Sequence, residues 1–120
     1  MKILVADDSR AMRMIVTRTL RQAGFAGHDI VEAEDGKQAL EMSGQGVDLI
    51  LSDWNMPEMT GIEFLKALRA GGSTIPFCFV TSEGSEEMRE QARAAGALGL
   101  IAKPFTAETF TDTLSAVVTV

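Results

Sequence analysis

At 120 residues, 46% of them hydrophobic and 23% charged, the chain has the size and balance of one globular domain, which excludes a disordered tail, a collagen-like repeat and a long multidomain enzyme. Eleven basic against seventeen acidic side chains leave a formal net charge of −6, so nucleic acid and anionic membrane are poor partners. The single cysteine, Cys78, cannot form an internal disulfide, no apolar run is long enough to span a bilayer, and the opening Lys2 with Ile3–Ala6 is too short for a secretory signal, so the expected location is the cytoplasm.

Short apolar runs alternate with longer amphipathic stretches from end to end, with no linker, low-complexity tract or internal repeat. Ile3–Ala6 reads as a first strand. Met12, Ile15, Val16, Leu20 and Ala23 then recur at helical spacing, and Gly24 stops them. Asp29–Ala33 is the second strand. Asp35 followed three residues later by Gln38 has the pattern of a capping box opening the second helix. Val47–Ser52 is the third strand; Thr60 and Glu63 repeat the cap pattern, and Ile62, Leu65 and Leu68 line a helix that ends at Gly71 and Gly72. Phe77–Val80 is the fourth strand, followed by a helix from about Ser85 to Ala95 that stops at Gly96. Leu98–Ala102 is the fifth, and a last helix begins near Thr106 and turns Phe110, Leu114 and Val117 inward. Most of the runs lack strict polar alternation, as strands buried on both faces of a parallel sheet do. Five strands alternating with five helices predict a three-layer, doubly wound α/β domain with right-handed crossovers.

In such sheets ligands bind beyond the carboxyl ends of the strands. Asp7 and Asp8 follow the first strand, Asp53 the third, Thr81 and Ser82 the fourth, Lys103 and Pro104 the fifth. Three carboxylates on one rim repel one another and need protons or a cation. Mg²⁺ removes the conflict and keeps positions free for water or phosphate oxygens. Lys103 adds a positive charge, Thr81 a hydroxyl that can donate to a phosphoryl oxygen, and a carboxylate such as Asp53 can serve as nucleophile and become an aspartyl phosphate. Singly, each of these residues also reads as a turn, cap or solvated residue. Capping alone does not account for all of them at strand ends.

Four motifs in order carry a family likeness: Asp7-Asp8, Ser52-Asp53-Trp54-Asn55-Met56-Pro57 with Gly61 downstream, Val80-Thr81-Ser82-Glu83, and Lys103-Pro104-Phe105. Together they resemble the receiver domain of bacterial two-component response regulators, and within it the single-domain chemotaxis regulators. The likeness covers essentially the whole chain, residues 1–120, and leaves no output domain. It implies a flavodoxin-like, CheY-like fold with strand order 2-1-3-4-5. Asp53 would be the phosphoacceptor. Asp7 or Asp8, Asp53 and the backbone carbonyl of Asn55 would hold Mg²⁺. Lys103 would pair with the phosphoryl group, and Thr81 would turn toward it as the switch. Asn55 and Glu83 stand at positions that tune the phosphoryl lifetime, and Pro104 follows Lys103 where the family often has a cis peptide. The implied partners are a sensor histidine kinase of the chemotaxis type, a downstream protein target such as the flagellar motor switch, and a phosphatase. The protein would catalyse only its own phosphorylation and dephosphorylation. At the second switch position, usually Tyr or Phe, this chain has Leu100, with neither ring nor hydroxyl.

Other readings compete. A receiver outside chemotaxis, or a phosphorelay intermediate, is favoured by Leu100, whereas Asn55 and Glu83 favour chemotaxis. A Mg²⁺-dependent aspartyl phosphohydrolase like the haloacid dehalogenase group would want an Asp where Asn55 stands. A flavin-binding module would want a Ser/Thr/Gly loop where Asp7 and Asp8 stand. Trp54 reads as a packing residue or a partner contact beside the acceptor, His28 as a loop histidine, and Cys78, between Phe77 and Phe79, as a buried inert thiol. Arg10, Arg13, Arg18 and Arg21 fall on one arc opposite the apolar stripe of the first helix, a solvated face or a docking face for an acidic partner. Glu83, Glu86, Glu87 and Glu90 gather near the start of the fourth helix, where the macrodipole favours acids.

Overall fold

A computed structural model describes residues 1–115. Among these, five strands, β1 (Lys2–Ala6), β2 (Asp29–Ala33), β3 (Leu49–Ser52), β4 (Phe77–Thr81) and β5 (Gly99–Ala102), form one parallel sheet in the order β2-β1-β3-β4-β5. The helices are α1 (Arg10–Leu20), α2 (Gly36–Met42), α3 (Gly61–Ala70), α4 (Glu86–Ala94) and α5 (Ala107–Leu114). The class and strand order are those expected from the sequence.

Alternation along each strand divides the core in two. Ile3 and Val5 face Val16, Leu20, Phe25, Phe110 and Leu114, the side covered by α1 and α5. Leu4 and Ala6 face Ala39, Phe64, Leu65, Leu68 and Ala92, the side covered by α2, α3 and α4. β3 and β4 are buried throughout, which explains their continuous apolar runs; β2 lies at an edge and leaves Asp29 and Glu32 exposed.

The helix starts follow local chemistry. The Ser9, Thr60, Ser85 and Thr106 side chains each accept an N–H three residues on. Thr60 and Glu63 close the full reciprocal box. Asp35 accepts the Gln38 N–H at 2.7 Å as expected, but Gln38 Oε1 takes the N–H of Glu34 rather than that of Asp35, one residue earlier than the box requires. After α1 the chain continues through a wide turn, Arg21–Phe25, in which Gly24 has φ +102°, a conformation that L side chains rarely adopt.

Three expectations shift. Val47 is buried but precedes β3, and Leu98 precedes β5, so both strands are shorter than the apolar runs suggest. The α1 stripe is narrower than its apolar residues: Ile15 is 43% exposed, whereas Arg13, assigned to the outer arc, is only 8% exposed. Arg10, Arg18 and Arg21 are exposed as expected. Val117 lies outside the described residues. Among the described residues no helix is long and apolar enough to cross a membrane.

Candidate functional site

Strand register builds the site. Ala6 pairs with both Ala33 and Ser52, so β1 and β3 end level and deliver Asp7 and Asp53 side by side. The Asp53 N–H donates to the Ala6 carbonyl at 2.8 Å, and the Asp7 N–H to that of Ala33 at 3.1 Å. Thr81 pairs with Ala102, and the Lys103 N–H donates to the Thr81 carbonyl at 2.8 Å, so Lys103 leaves the sheet beside Thr81. The Lys103–Pro104 peptide is cis.

Asp7, Asp8 and Asp53 meet: one carboxylate oxygen from each lies within 4.8 Å of the others. Asp7 is 3% exposed, Asp53 half-buried and Asp8 exposed. Burial, partly offset by the Ser9 N–H that donates to Asp7 Oδ1 at 2.8 Å, pushes the Asp7 carboxyl up to about 6, with Asp53 and Asp8 adding to the rise and Lys103 opposing it. Asp53 is likewise held above the usual carboxylate range by burial, against the pull of Lys103, the Trp54 N–H on Oδ1 at 2.8 Å and the Asn55 N–H. This donor set of hard oxygens, short of positive charge and partly open to solvent, fits Mg²⁺.

The loop after Asp53 is packed tightly. The Gly61 N–H donates to the Trp54 carbonyl at 2.7 Å, and a Cβ on Gly61 would fall on the Asp53 carbonyl oxygen. Only glycine permits that approach. The Trp54 ring lies 4.7 Å from that of Phe79, so Trp54 is a packing residue beside Asp53. Asn55 is exposed.

Thr81 is buried, and its Oγ1 accepts the Glu83 N–H at 3.4 Å; Glu83 itself is exposed. Leu100 is 7% exposed and packs in the core on the α3–α4 side, so its side chain is an apolar core element below the rim. His28 stays at the N-terminal edge, its Nδ1 3.2 Å from the Met1 amino group, and burial pushes the Cys78 thiol up to about 12. Glu86 and Glu87 occupy the first turn of α4.

Two side chains escaped the sequence reading. Arg13 donates from Nη1 to the Asp7 carbonyl at 2.7 Å and from Nε to Glu32 Oε1 at 2.9 Å. Arg89 donates from Nη1 to the Leu100 carbonyl at 3.0 Å and from Nε to the Gly84 carbonyl at 3.4 Å. For Arg13 a signal existed: at 100° per residue it stands only about 20° beyond Leu20, which edges the apolar stripe.

Residues 3–115 match the family model described as response regulator receiver domain. The chain is 44% identical over 117 residues to chemotaxis protein CheY-3 of Vibrio cholerae, covering 95% of this chain and 88% of that protein. It is 43% identical over 111 residues to chemotaxis protein CheY of Pseudomonas aeruginosa, covering 90% and 88%. Its backbone superposes on chemotaxis response regulator CheY4 of Vibrio cholerae with a TM-score of 0.84 at 40% identity, over 98% of each chain. The Francisella response regulator 1452 receiver domain superposes with a TM-score of 0.86 at 28% identity, over 97% of this chain and 94% of that one. Strand order, acidic rim and these likenesses agree, and the chain belongs to the response regulator receiver domain family.

Proposed function

We propose that this protein is a phosphorylatable switch of chemotaxis signalling: Asp53 accepts a phosphoryl group from a sensor histidine kinase in a Mg²⁺-dependent reaction, and the phosphorylated form binds a downstream protein differently. The observation that carries this reading is the meeting of Asp7, Asp8 and Asp53 within 4.8 Å beside Lys103, on a receiver frame. The likeness to chemotaxis proteins of two bacteria supports the pathway.

An Asp53 carboxylate oxygen attacks phosphorus, the bond from phosphorus to the donor's imidazole nitrogen breaks, and the imidazole leaves with that electron pair. The Trp54 N–H on Oδ1 fixes the carboxylate for this attack. Asp7, Asp8, Asp53 and the Asn55 carbonyl would hold the ion, which supplies charge neutralisation for the phosphoryl oxygens. Lys103 neutralises the same oxygens from the other side. The Thr81 hydroxyl gives up its 3.4 Å bond with the Glu83 N–H and donates to the phosphoryl group. Asn55 and Glu83, both exposed, flank the acceptor and govern the access of water that hydrolyses the acyl phosphate. The protein thus promotes only its own phosphorylation and dephosphorylation. Its downstream target is a protein such as the flagellar motor switch, a phosphatase returns it to rest, and the cytoplasm is its compartment. A non-chemotaxis receiver or phosphorelay intermediate is the second reading, favoured by Leu100, whose buried apolar side chain offers no hydroxyl to a target.

Acetyl phosphate with Mg²⁺, read by intact mass, tests the chemistry. A single labile phosphoryl adduct is expected that needs Mg²⁺ and disappears in Asp53→Asn. No adduct under any condition removes the phosphoacceptor reading.

A further inference from the structure

We propose that Arg13 is a positioning residue for the metal site: tied to Glu32, its guanidinium holds the Asp7 carbonyl and so fixes the β1–α1 turn that presents Asp7 and Asp8. The proposal rests on the Mg²⁺ reading above.

Asp7 is fixed at three points. Its N–H donates to the Ala33 carbonyl at 3.1 Å, its carboxylate accepts the Ser9 N–H at 2.8 Å, and its carbonyl accepts Arg13 Nη1 at 2.7 Å. The last bond is the shortest, and the only one of the three supplied by a side chain. Asp8 comes next, exposed, so the direction of its carboxylate depends on the backbone that Arg13 holds.

Burying a guanidinium is unfavourable unless it is paired and hydrogen-bonded. Arg13 Nε is paired with Glu32 at 2.9 Å, but the Glu32 side chain is 47% exposed, and such a pair returns little by itself. Glu32 lies on the edge strand β2, opposite Val5 of β1, and directs the guanidinium toward the end of β1. Arg13 also lines an open groove of about 530 Å³ with Arg10, Met14, Glu32, Glu34 and Gln38. Water from that groove can reach the Asp7 carbonyl once the side chain is shortened. The fold then survives the substitution and the orientation of the turn does not.

Charge and position predict opposite results, which makes the test sharp. A cation near a cation site repels Mg²⁺, so by charge alone removing Arg13 tightens Mg²⁺ binding. By position, removing it weakens binding.

Mg²⁺ is titrated into the full chain and followed by the fluorescence of Trp54, the only tryptophan, for wild type, Arg13→Met, Arg13→Lys and Glu32→Gln. Amide exchange at Asp8 and Ser9 is read in the metal-free proteins, and circular dichroism checks the fold. Arg13→Met is expected to bind Mg²⁺ about tenfold more weakly, the usual scale for loss of a residue that orients a ligand. Its Asp8 and Ser9 amides are expected to exchange faster. Arg13→Lys falls between, and Glu32→Gln, which keeps the Arg13 bond to Asp7, stays near wild type. A folded Arg13→Met that binds Mg²⁺ as tightly as wild type, or more tightly, overturns the proposal. If Arg13→Met fails to fold, Arg13→Lys decides by the same two readings. A wild type that does not respond to Mg²⁺ overturns the metal reading and this proposal with it, an outcome distinct from wild type and variant binding alike.

Discussion

Asp7 illustrates a residue whose proposed role works against stability. Its carboxyl is raised by burial from 3.8 to about 6, so the folded chain binds a proton that the unfolded chain releases. The stability linked to that proton is complete below about pH 4 and is lost as pH rises through about 6. Asp7→Asn removes the charge and keeps an oxygen for the Ser9 N–H, which now donates at 2.8 Å. We expect urea denaturation of the metal-free variant at about pH 8 to show a gain of up to about 3 kcal/mol, reduced by what Lys103 loses as its neighbour becomes neutral. Below about pH 4 the gain should vanish. The same variant should lose Mg²⁺-dependent labelling by acetyl phosphate. Gly61 shows the converse, a residue that both demands require. A Cβ there would meet the Asp53 carbonyl, with Trp54 Cα and Phe79 Cε1 each at 3.0 Å. Gly61→Ala should lower stability by about 1–3 kcal/mol and slow labelling together, because the backbone that must shift carries Asp53. At this scale, residues that sit at strand ends are legible in the sequence, because the topology alone brings them to one rim. Arg13 and Arg89 are not. A long side chain that reaches a distant backbone carbonyl leaves little periodic trace, and among Arg10, Arg13, Arg18 and Arg21 only the wheel position near Leu20 distinguishes the buried one.

Among the elements, α3 and α4 differ most in how they are held. α3 buries Phe64, Leu65 and Leu68 and opens on a full capping box. α4 buries only Ala92 among its residues, with Met88 partly buried against the core, and its other ties are polar: Ser85 accepts the Met88 N–H at 3.1 Å, and Arg89 reaches the Gly84 and Leu100 carbonyls. Few buried apolar contacts mean a low local opening free energy. In native-state hydrogen exchange, α4 should therefore open well below the global unfolding free energy, while β1, β3 and β4 exchange only near it. Arg89→Ala should speed exchange in α4 further and leave α3 unchanged. Equal protection of α3 and α4 would contradict this ranking. The elements themselves were readable because buried parallel strands and capped helices carry distinct signals. Their ends were less so. Val47 looks like strand because it is apolar and buried, yet the ladder with β1 is closed off by Asp48, whose N–H donates to the Lys2 carbonyl at 2.8 Å while its carboxylate accepts the Lys2 N–H at 2.8 Å. A side chain has taken the place of the next backbone acceptor, and apolar patterning does not register that.

Across the whole molecule, the proposed switch raises the question of how a charge on Asp53 would reach α4 and β5. Leu100 carries no polar side-chain atom and is packed in the core, so a swinging hydroxyl cannot carry the signal. A connected route does exist. Thr81 Oγ1 holds the Glu83 N–H by a long 3.4 Å bond. Gly84, next in the chain, lies so close to β5 that a Cβ on it would stand 2.9 Å from Ala102 Cβ. Arg89 then joins the Gly84 and Leu100 carbonyls. If Thr81 turns toward a phosphoryl group as proposed, it would release Glu83, displace the tightly seated loop and strain the weaker, 3.4 Å bond of Arg89 before the 3.0 Å one. On the proposed reading the outcome would be a shift between two arrangements of α4, an element with few buried apolar contacts. Thr81→Ala should therefore separate chemistry from output. It should still take one phosphoryl group from acetyl phosphate on Asp53, with Mg²⁺. Phosphorylation of wild type should change hydrogen exchange across Ser85–Ala94 and at Leu100, whereas phosphorylated Thr81→Ala should match its own unphosphorylated form. If the variant shows the same exchange change as wild type, the signal bypasses the Thr81 hydroxyl, and the apolar core that contains Leu100, Ala92 and Phe79 becomes the route to test instead.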